Sequence, residues 1–241
     1  MKNTELWNSK RIQWNSKLNR FQLNENAVFV GSQHIASIQF EHYLPLLKKY
    51  CQGKLLDCGC GEAPYFAMLK SQVSLHYCVD WSDNPHNQQL FDEVVNLNSP
   101  FKLLENEFDC VLLSDVIAHV QAPSELVNTL SNHLRKDGFL LITTPFATWI
   151  SAPPHEYYHP TEFALRKMCA DAGLEIMEIE AYGGYPDVLL DTLNKGMRGK
   201  VSKRVFKLLA SVVKKSLWYK KSNQKTKYSY PIGYTLVARK L

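Results

Sequence analysis

Two aspartates, two glycines and three histidines hold most of the chemistry this chain offers. Asp57, Gly59 and Gly61 stand in the run Leu55-Leu56-Asp57-Cys58-Gly59-Cys60-Gly61-Glu62-Ala63-Pro64-Tyr65. Leu55 and Leu56 read as a buried strand closed by Asp57. The glycines then read as a sharp turn that opens a helix and lets backbone approach a ligand closely. Open α/β sheets bind nucleotides at such a turn, at the carboxyl end of a parallel strand. The dinucleotide fingerprint G-x-G-x-x-G cradles a pyrophosphate. Here Asp57-x-Gly59-x-Gly61-x-Ala63 carries no basic residue and two acids, Asp57 and Glu62, so a phosphate would be poorly served. About 20 residues on, an acid at the tip of the next strand is the expected ribose ligand. Asp80 fills that place after Leu75-His76-Tyr77-Cys78-Val79, and Trp81 beside it offers a face for adenine. The plainer reading of Asp80 is a turn or helix-capping acid. His119, His155 and His159 are the candidate general bases; each also has a packing reading.

Asp57-Cys58-Gly59-Cys60-Gly61 resembles motif I of the class I S-adenosylmethionine-dependent methyltransferases. That ligand has an amino-acid end and a sulfonium in place of a pyrophosphate, which suits an acidic turn. Ala63 departs from the family, which has a third glycine there; alanine disfavours positive φ and narrows the turn. Further segments resemble the family in the same order. Val94-Val95-Asn96-Leu97-Asn98 sits where the family contacts adenine, through Asn96 or Leu97. Phe108 to Asp115 resembles the fourth strand, and its end places Ser114 and Asp115 at the cofactor. Val116-Ile117-Ala118-His119-Val120 resembles the segment after that strand, with Ala118 where glutamate is common. The resemblance covers about residues 55–185 and implies binding of S-adenosylmethionine by Asp57, Gly59, Cys60, Gly61, Asp80, Trp81, Asn96, Leu97, Ser114 and Asp115.

The elements that position these residues follow from pattern. Pro123 to Arg135 predicts a helix with Leu126, Leu130 and Leu134 on one stripe. Phe139 to Thr144 is the fifth strand, 160–172 a helix, Leu174 to Glu180 the sixth strand, 185–193 a short helix, and 228–239 the last strand. The family fold is an α/β seven-stranded Rossmann-like sheet, order 3-2-1-4-5-7-6 in core numbering, last strand antiparallel, helices on both faces. At the front, WNSK occurs at 7–10 and 14–17, which places Trp7, Trp14 and Phe21 on one stripe of an expected N-terminal helix. A second helix is expected over 34–50, with Pro45 a possible break. His34 and Tyr43 there have both a packing reading and one toward the cofactor's carboxylate. The expected organisation is therefore a helical cap over 1–50, a core over 51–191, a basic amphipathic helical insertion over 192–227, and the last core strand over 228–241.

The chain has 241 residues, 45% hydrophobic, which suits one domain with additions. Its net charge of +5 conceals a division: residues 1–191 hold 14 Lys and Arg against 23 acids, and residues 192–241 hold 14 against none. Lys200 to Lys221 carries Val201, Val205, Leu208, Leu209, Val212, Val213 and Leu217 at helical spacing, with Lys203, Arg204, Lys207, Lys214, Lys215, Lys220 and Lys221 between them. Such a helix packs on its own domain, lies on an anionic membrane surface, or contacts nucleic acid, the last least favoured. No stretch is long and apolar enough to span a bilayer, and the N-terminus lacks a signal-peptide core. A cytoplasmic setting is expected, peripheral at the membrane's inner face if the basic helix lies there. Six scattered cysteines read as buried thiols, and Cys58-x-Cys60 is not a zinc spacing, so no metal is expected.

Two motifs mislead. His155-Glu156-Tyr157-Tyr158-His159 matches H-E-x-x-H, but that chemistry needs one continuous helix, and Pro153, Pro154 and Pro160 flank the segment. It instead resembles the loop after strand five in methyltransferases acting on sugars and other small molecules. Thr144-Pro145-Phe146 follows strand five, not strand four, so it is not the base-reading loop of nucleic-acid amino methyltransferases. Three functions remain open at this level. One is O-methylation of a sugar, lipid-linked or other small acceptor, quinone-type molecules included, with His119 as base. The second is an RNA-binding methyltransferase using the basic tail. The third is a non-catalytic cofactor-binding protein.

Overall fold

The computed structural model describes residues 1–82, 88–197 and 200–241, and only the backbone of 200–204 and 207. The first strands, β1 (Ile12–Asn15) and β2 (Arg20–Leu23), form a separate antiparallel hairpin. Helix α1 (Gln33–Tyr50) leads into β3 (Gly53–Cys58), the short helix α2 (Phe66–Leu69) and β4 (Val73–Asp80). Then come β5 (Glu93–Val94), β6 (Phe108–Ser114), α3 (Pro123–His133), β7 (Leu134–Pro145), α4 (Glu162–Asp171) and β8 (Leu174–Tyr182). Helices α5 (Tyr185–Gly196), α6 (Lys200–Lys215) and α7 (Leu217–Thr226) precede the last strand, β9 (Gly233–Lys240). The main sheet has seven strands in the order β5-β4-β3-β6-β7-β9-β8, with β9 antiparallel to both neighbours. In core numbering that is the expected 3-2-1-4-5-7-6.

Period-two alternation divides the core into two layers. Leu55, Cys110, Leu112, Leu141 and Val237 face α1 and α2, where Phe40, Tyr43, Leu44, Leu47, Met68 and Leu69 meet them. Leu56, Val111, Leu113, Leu140, Ile142 and Leu236 face α3 and α4, through Leu126, Val127, Leu130, Leu165 and Met168. Each such buried side chain contributes about 1.5–3 kcal/mol. Pro45 does not interrupt α1. Its missing hydrogen bond costs about 3 kcal/mol, which the buried stripe offsets.

Four local expectations need correction. The N-terminal helix is a hairpin. Trp14 and Phe21 do meet, but as a cross-strand pair with ring centroids 5.1 Å apart. The turn is held by Asn15 Oδ1, which accepts the amides of Lys17 and Leu18, and by Asn19 at φ 48°. Helix α3 stops at His133, not Arg135, because Leu134 pairs with Phe108 in the sheet. The single basic helix is two helices, because Ser216 adopts extended backbone and caps α7 by accepting the Tyr219 amide. The last strand starts at Gly233, not Tyr228. The side chains of Val201, Lys203, Arg204 and Lys207 lie outside the described residues.

Candidate functional site

A cleft of about 500 Å³ opens at the carboxyl ends of β3, β4 and β6. Of the expected ligand residues, Gly59, Gly61, Asp80, Trp81, Asn96, Leu97, Ser114 and Asp115 line it, together with His119 and His155. Gly59 has φ +71°, and a Cβ there would lie 2.4 Å from Val116 Cγ2, so only glycine fits. Asp80 is buried and joins the two strand tips: Oδ2 accepts the Gly61 amide at 2.8 Å and Oδ1 the Trp81 amide at 2.8 Å. Each oxygen retains a further lone pair for a ligand hydroxyl. Trp81 meets the His155 ring edge-on, centroids 5.0 Å apart.

Ala63 takes φ 48°, a left-handed conformation that strains an alanine and would not strain a glycine. The N-terminal segment secures this strained turn. Trp7 Nε1 donates to the Ala63 carbonyl at 3.0 Å, Trp7 packs edge-on against Phe66, and Arg11 pairs with Glu62 at 2.9 Å. These contacts come from hairpin and loop, not from a helix.

Asp57, Cys60 and His159 do not line the cleft. Asp57 is buried and faces His76, whose Nε2 lies 2.9 Å from Asp57 Oδ2. Burial favours the neutral imidazole, but Cys78 and Asp57 outweigh it and hold the His76 pKa well above the usual range. The acid expected to face a cationic ligand faces His76 instead. Cys60 is buried with Ala63, Cys78, Leu90 and Phe91 under the turn. His159 Nε2 pairs with Glu156 Oε1 at 2.7 Å. Burial alone would raise Glu156, but His159, the Ala152 and Ser151 amides and the Ser151 hydroxyl lower it to about 2. Residues 156–160 are non-helical, so the H-E-x-x-H pair shares no helix face. Glu156 anchors the loop that lays Ala152 and Pro153 over the cleft.

A second cavity of about 290 Å³ adjoins the first and shares Arg11, Asp115 and His119 with it. Its walls come from Ile12 and Leu23 of the hairpin, Ile35, Gln39 and Phe40 of α1, and Tyr65, Trp149, Tyr182 and Lys195. None of these stood out in the sequence. His119 Nδ1 lies 2.7 Å from the His155 carbonyl, so Nδ1 carries the proton and donates it. Nε2 is then the acceptor of the neutral ring. Asp115 Oδ1 accepts Gln39 Nε2 at 2.6 Å, and burial raises the Asp115 carboxyl. Tyr182 is buried beside Thr143 and Gln39, and burial pushes its hydroxyl pKa up. Lys195 is held by Asp191 and by Thr148 Oγ1 at 2.7 Å, over the Trp149 ring. His34 and Tyr43, the other candidates, pack elsewhere: His34 on Asp187 at 3.0 Å, Tyr43 under the Ser114 hydroxyl at 3.2 Å.

Residues 36–179, more than half of the chain, match the family model described as a methyltransferase domain. A protein of Rickettsia typhi named ubiquinone biosynthesis O-methyltransferase is 23% identical over 204 residues, covering 72% of this chain and 82% of that protein. The fold is shared with an S-adenosylmethionine-dependent methyltransferase from Archaeoglobus fulgidus (TM-score 0.54, 16% identity, 86% of this chain and 93% of that one). It is shared equally with one from Mesorhizobium loti (TM-score 0.52, 14% identity, 82% and 97%).

Proposed function

Because this chain belongs to the class I S-adenosylmethionine-dependent methyltransferase family, we propose that it methylates a hydroxyl oxygen on a small acceptor with an apolar body. The cofactor is S-adenosylmethionine, which when bound supplies a methyl group already activated on a sulfonium. The cleft fits it: a glycine turn with room for close approach, Asp80 with lone pairs to spare, and Trp81, Asn96 and Leu97 along the wall.

One observation carries the acceptor reading. His119 and Asp115 line both cavities, and His119, its Nδ1 donating to the His155 carbonyl, is the one candidate histidine shared by the two. His119 Nε2 takes the proton of an acceptor hydroxyl. Gln39 and Asp115 orient that hydroxyl, and the walls of Ile12, Leu23 and Phe40 exclude water. Holding two reactants in line supplies about 7–11 kcal/mol of a displacement barrier, so alignment is the protein's main task. Aromatic and aliphatic walls suit a ring or a lipid-linked group. The O-methyltransferase name of the Rickettsia typhi relative supports the same class. The sugar expectation drew on the basic C-terminal helix and on residues 155–159, of which only His155 lines the cleft.

The test is incubation with methyl-labelled cofactor and three acceptor pools: hydroxylated aromatic and quinol compounds, a lipid and lipid-linked saccharide extract, and RNA. Label in an organic-extractable small molecule supports the proposal. Label in RNA alone overturns it, as does tight cofactor binding without transfer to any pool.

A further inference from the structure

Three features lie outside the cleft and its neighbouring cavity. The buried cluster of Asp57, His76 and Cys78 is internally paired. The cavity between α1, α5 and α6 is lined by residues that already bond one another, His34 and Lys214 at 2.8 Å among them. The third is the outer face of α6 and the start of α7, and it carries furthest.

Helix α6 exposes a broad apolar face. It rests on the domain through Ala210, which is 9% exposed, and through half-buried Lys214, which bonds His34. Phe206 lines the same cavity, but four other apolar residues point outward. Val205, Leu208, Leu209 and Val212, spaced i, i+3, i+4 and i+7, are 53–68% exposed. That spacing is one continuous stripe. Past the Ser216 break the stripe is extended by Leu217 and Trp218, 73% and 57% exposed. A helix stabilised by its own domain buries its apolar face; α6 leaves this second apolar stripe in water.

We propose that this face is a docking surface for an anionic lipid bilayer, with the stripe in the acyl boundary and the lysines at the headgroups. Charge identifies the occupant. Residues 192–241 carry 14 Lys and Arg and no acid, and Lys215, Lys220, Lys221 and Lys225 are exposed on these helices. Basic residues beside an exposed aliphatic and tryptophan stripe complement negative headgroups over hydrocarbon. Nucleic acid would use the lysines and leave the stripe in water. A second copy of the chain would set two equally basic segments against each other. No helix among the described residues is long and apolar enough to cross a membrane, so the contact is peripheral. Helix α6 also starts shortly after Lys195, which lines the second cavity, so docking would bring that cavity near the lipid surface.

This surface is independent of the proposed chemistry, and its test needs no turnover. Full-length protein is sedimented with vesicles of phosphatidylcholine, and of phosphatidylcholine mixed with phosphatidylglycerol. Binding is expected to the mixed vesicles, to weaken with salt, and to fall at least about tenfold in Leu208→Glu/Val212→Glu. Lys215→Glu/Lys220→Glu/Lys221→Glu should lose the phosphatidylglycerol dependence. Both variants alter exposed side chains, and unchanged thermal melting and cofactor affinity show that the fold is intact. Should either variant fail to fold, Trp218→Ser and Leu209→Ser replace it. The proposal is overturned by equal binding to both vesicle types, or by mixed-vesicle binding that survives the substitutions. It is also overturned by a dimer in light scattering that Leu208→Glu/Val212→Glu abolishes, or by binding to RNA but not to vesicles.

Discussion

The Gly61 amide donates to Asp80 Oδ2 at 2.8 Å, tying the glycine turn after β3 to the tip of β4. The same carboxylate is thus both the brace of the turn and the acid facing the cleft. Asp80→Ala should remove both roles. A hydrogen bond to a charged group contributes about 1.5–3 kcal/mol, so affinity for S-adenosylmethionine should fall about 10–100-fold. Calorimetry checks this, and unchanged affinity would show that the ribose lies elsewhere.

His119→Asn keeps a donor where Nδ1 stands and removes the nitrogen at Nε2. The bond to the His155 carbonyl should survive, and cofactor affinity with it. Methyl transfer should fall about 10²–10⁴-fold, the usual contribution of a positioned general base. Single-turnover kinetics on the identified acceptor separates this from a binding defect. A rate equal to wild type removes His119 from the proton transfer.

Asp57 and His76 form a buried pair, so removing one partner should be severe: about 3–5 kcal/mol for Asp57→Ala, read from urea unfolding. The pair also sets a pH dependence. The native His76 pKa is raised, so its stabilisation is complete below the unfolded value of about 6.5 and is lost as pH rises through the native one. Wild-type stability should therefore decline across the alkaline range, and Asp57→Asn should flatten that decline.

Glu156 behaves in the opposite sense. Its pKa is lowered to about 2, so its contribution is complete above the unfolded value of about 4.5 and is lost as pH falls through about 2. Glu156→Gln should loosen the loop over the cleft and lower the melting temperature at pH 7. The difference from wild type should shrink in strong acid. A difference independent of pH would assign the loop's order to Pro153 and Pro154 instead.

The sheet, the glycine turn and the acid at the next strand tip were legible in the residues alone. These are local patterns: alternating burial, a residue type that tolerates φ near +70°, and a spacing fixed by one βαβ unit. The N-terminus was not legible in this way, because a seven-residue repeat fits helical periodicity as well as a hairpin, and only the Trp14–Phe21 pairing decides between them. Tertiary structure alone decided what the functional groups face. Asp57 pairs with His76, while Gln39, Tyr182 and Lys195 reach the second cavity through contacts far apart in the chain. Gln39 meets Asp115 across 76 positions and Lys195 meets Thr148 across 47. A side chain's partner depends on which strands become neighbours and in what register, and neither is written in the residues nearby.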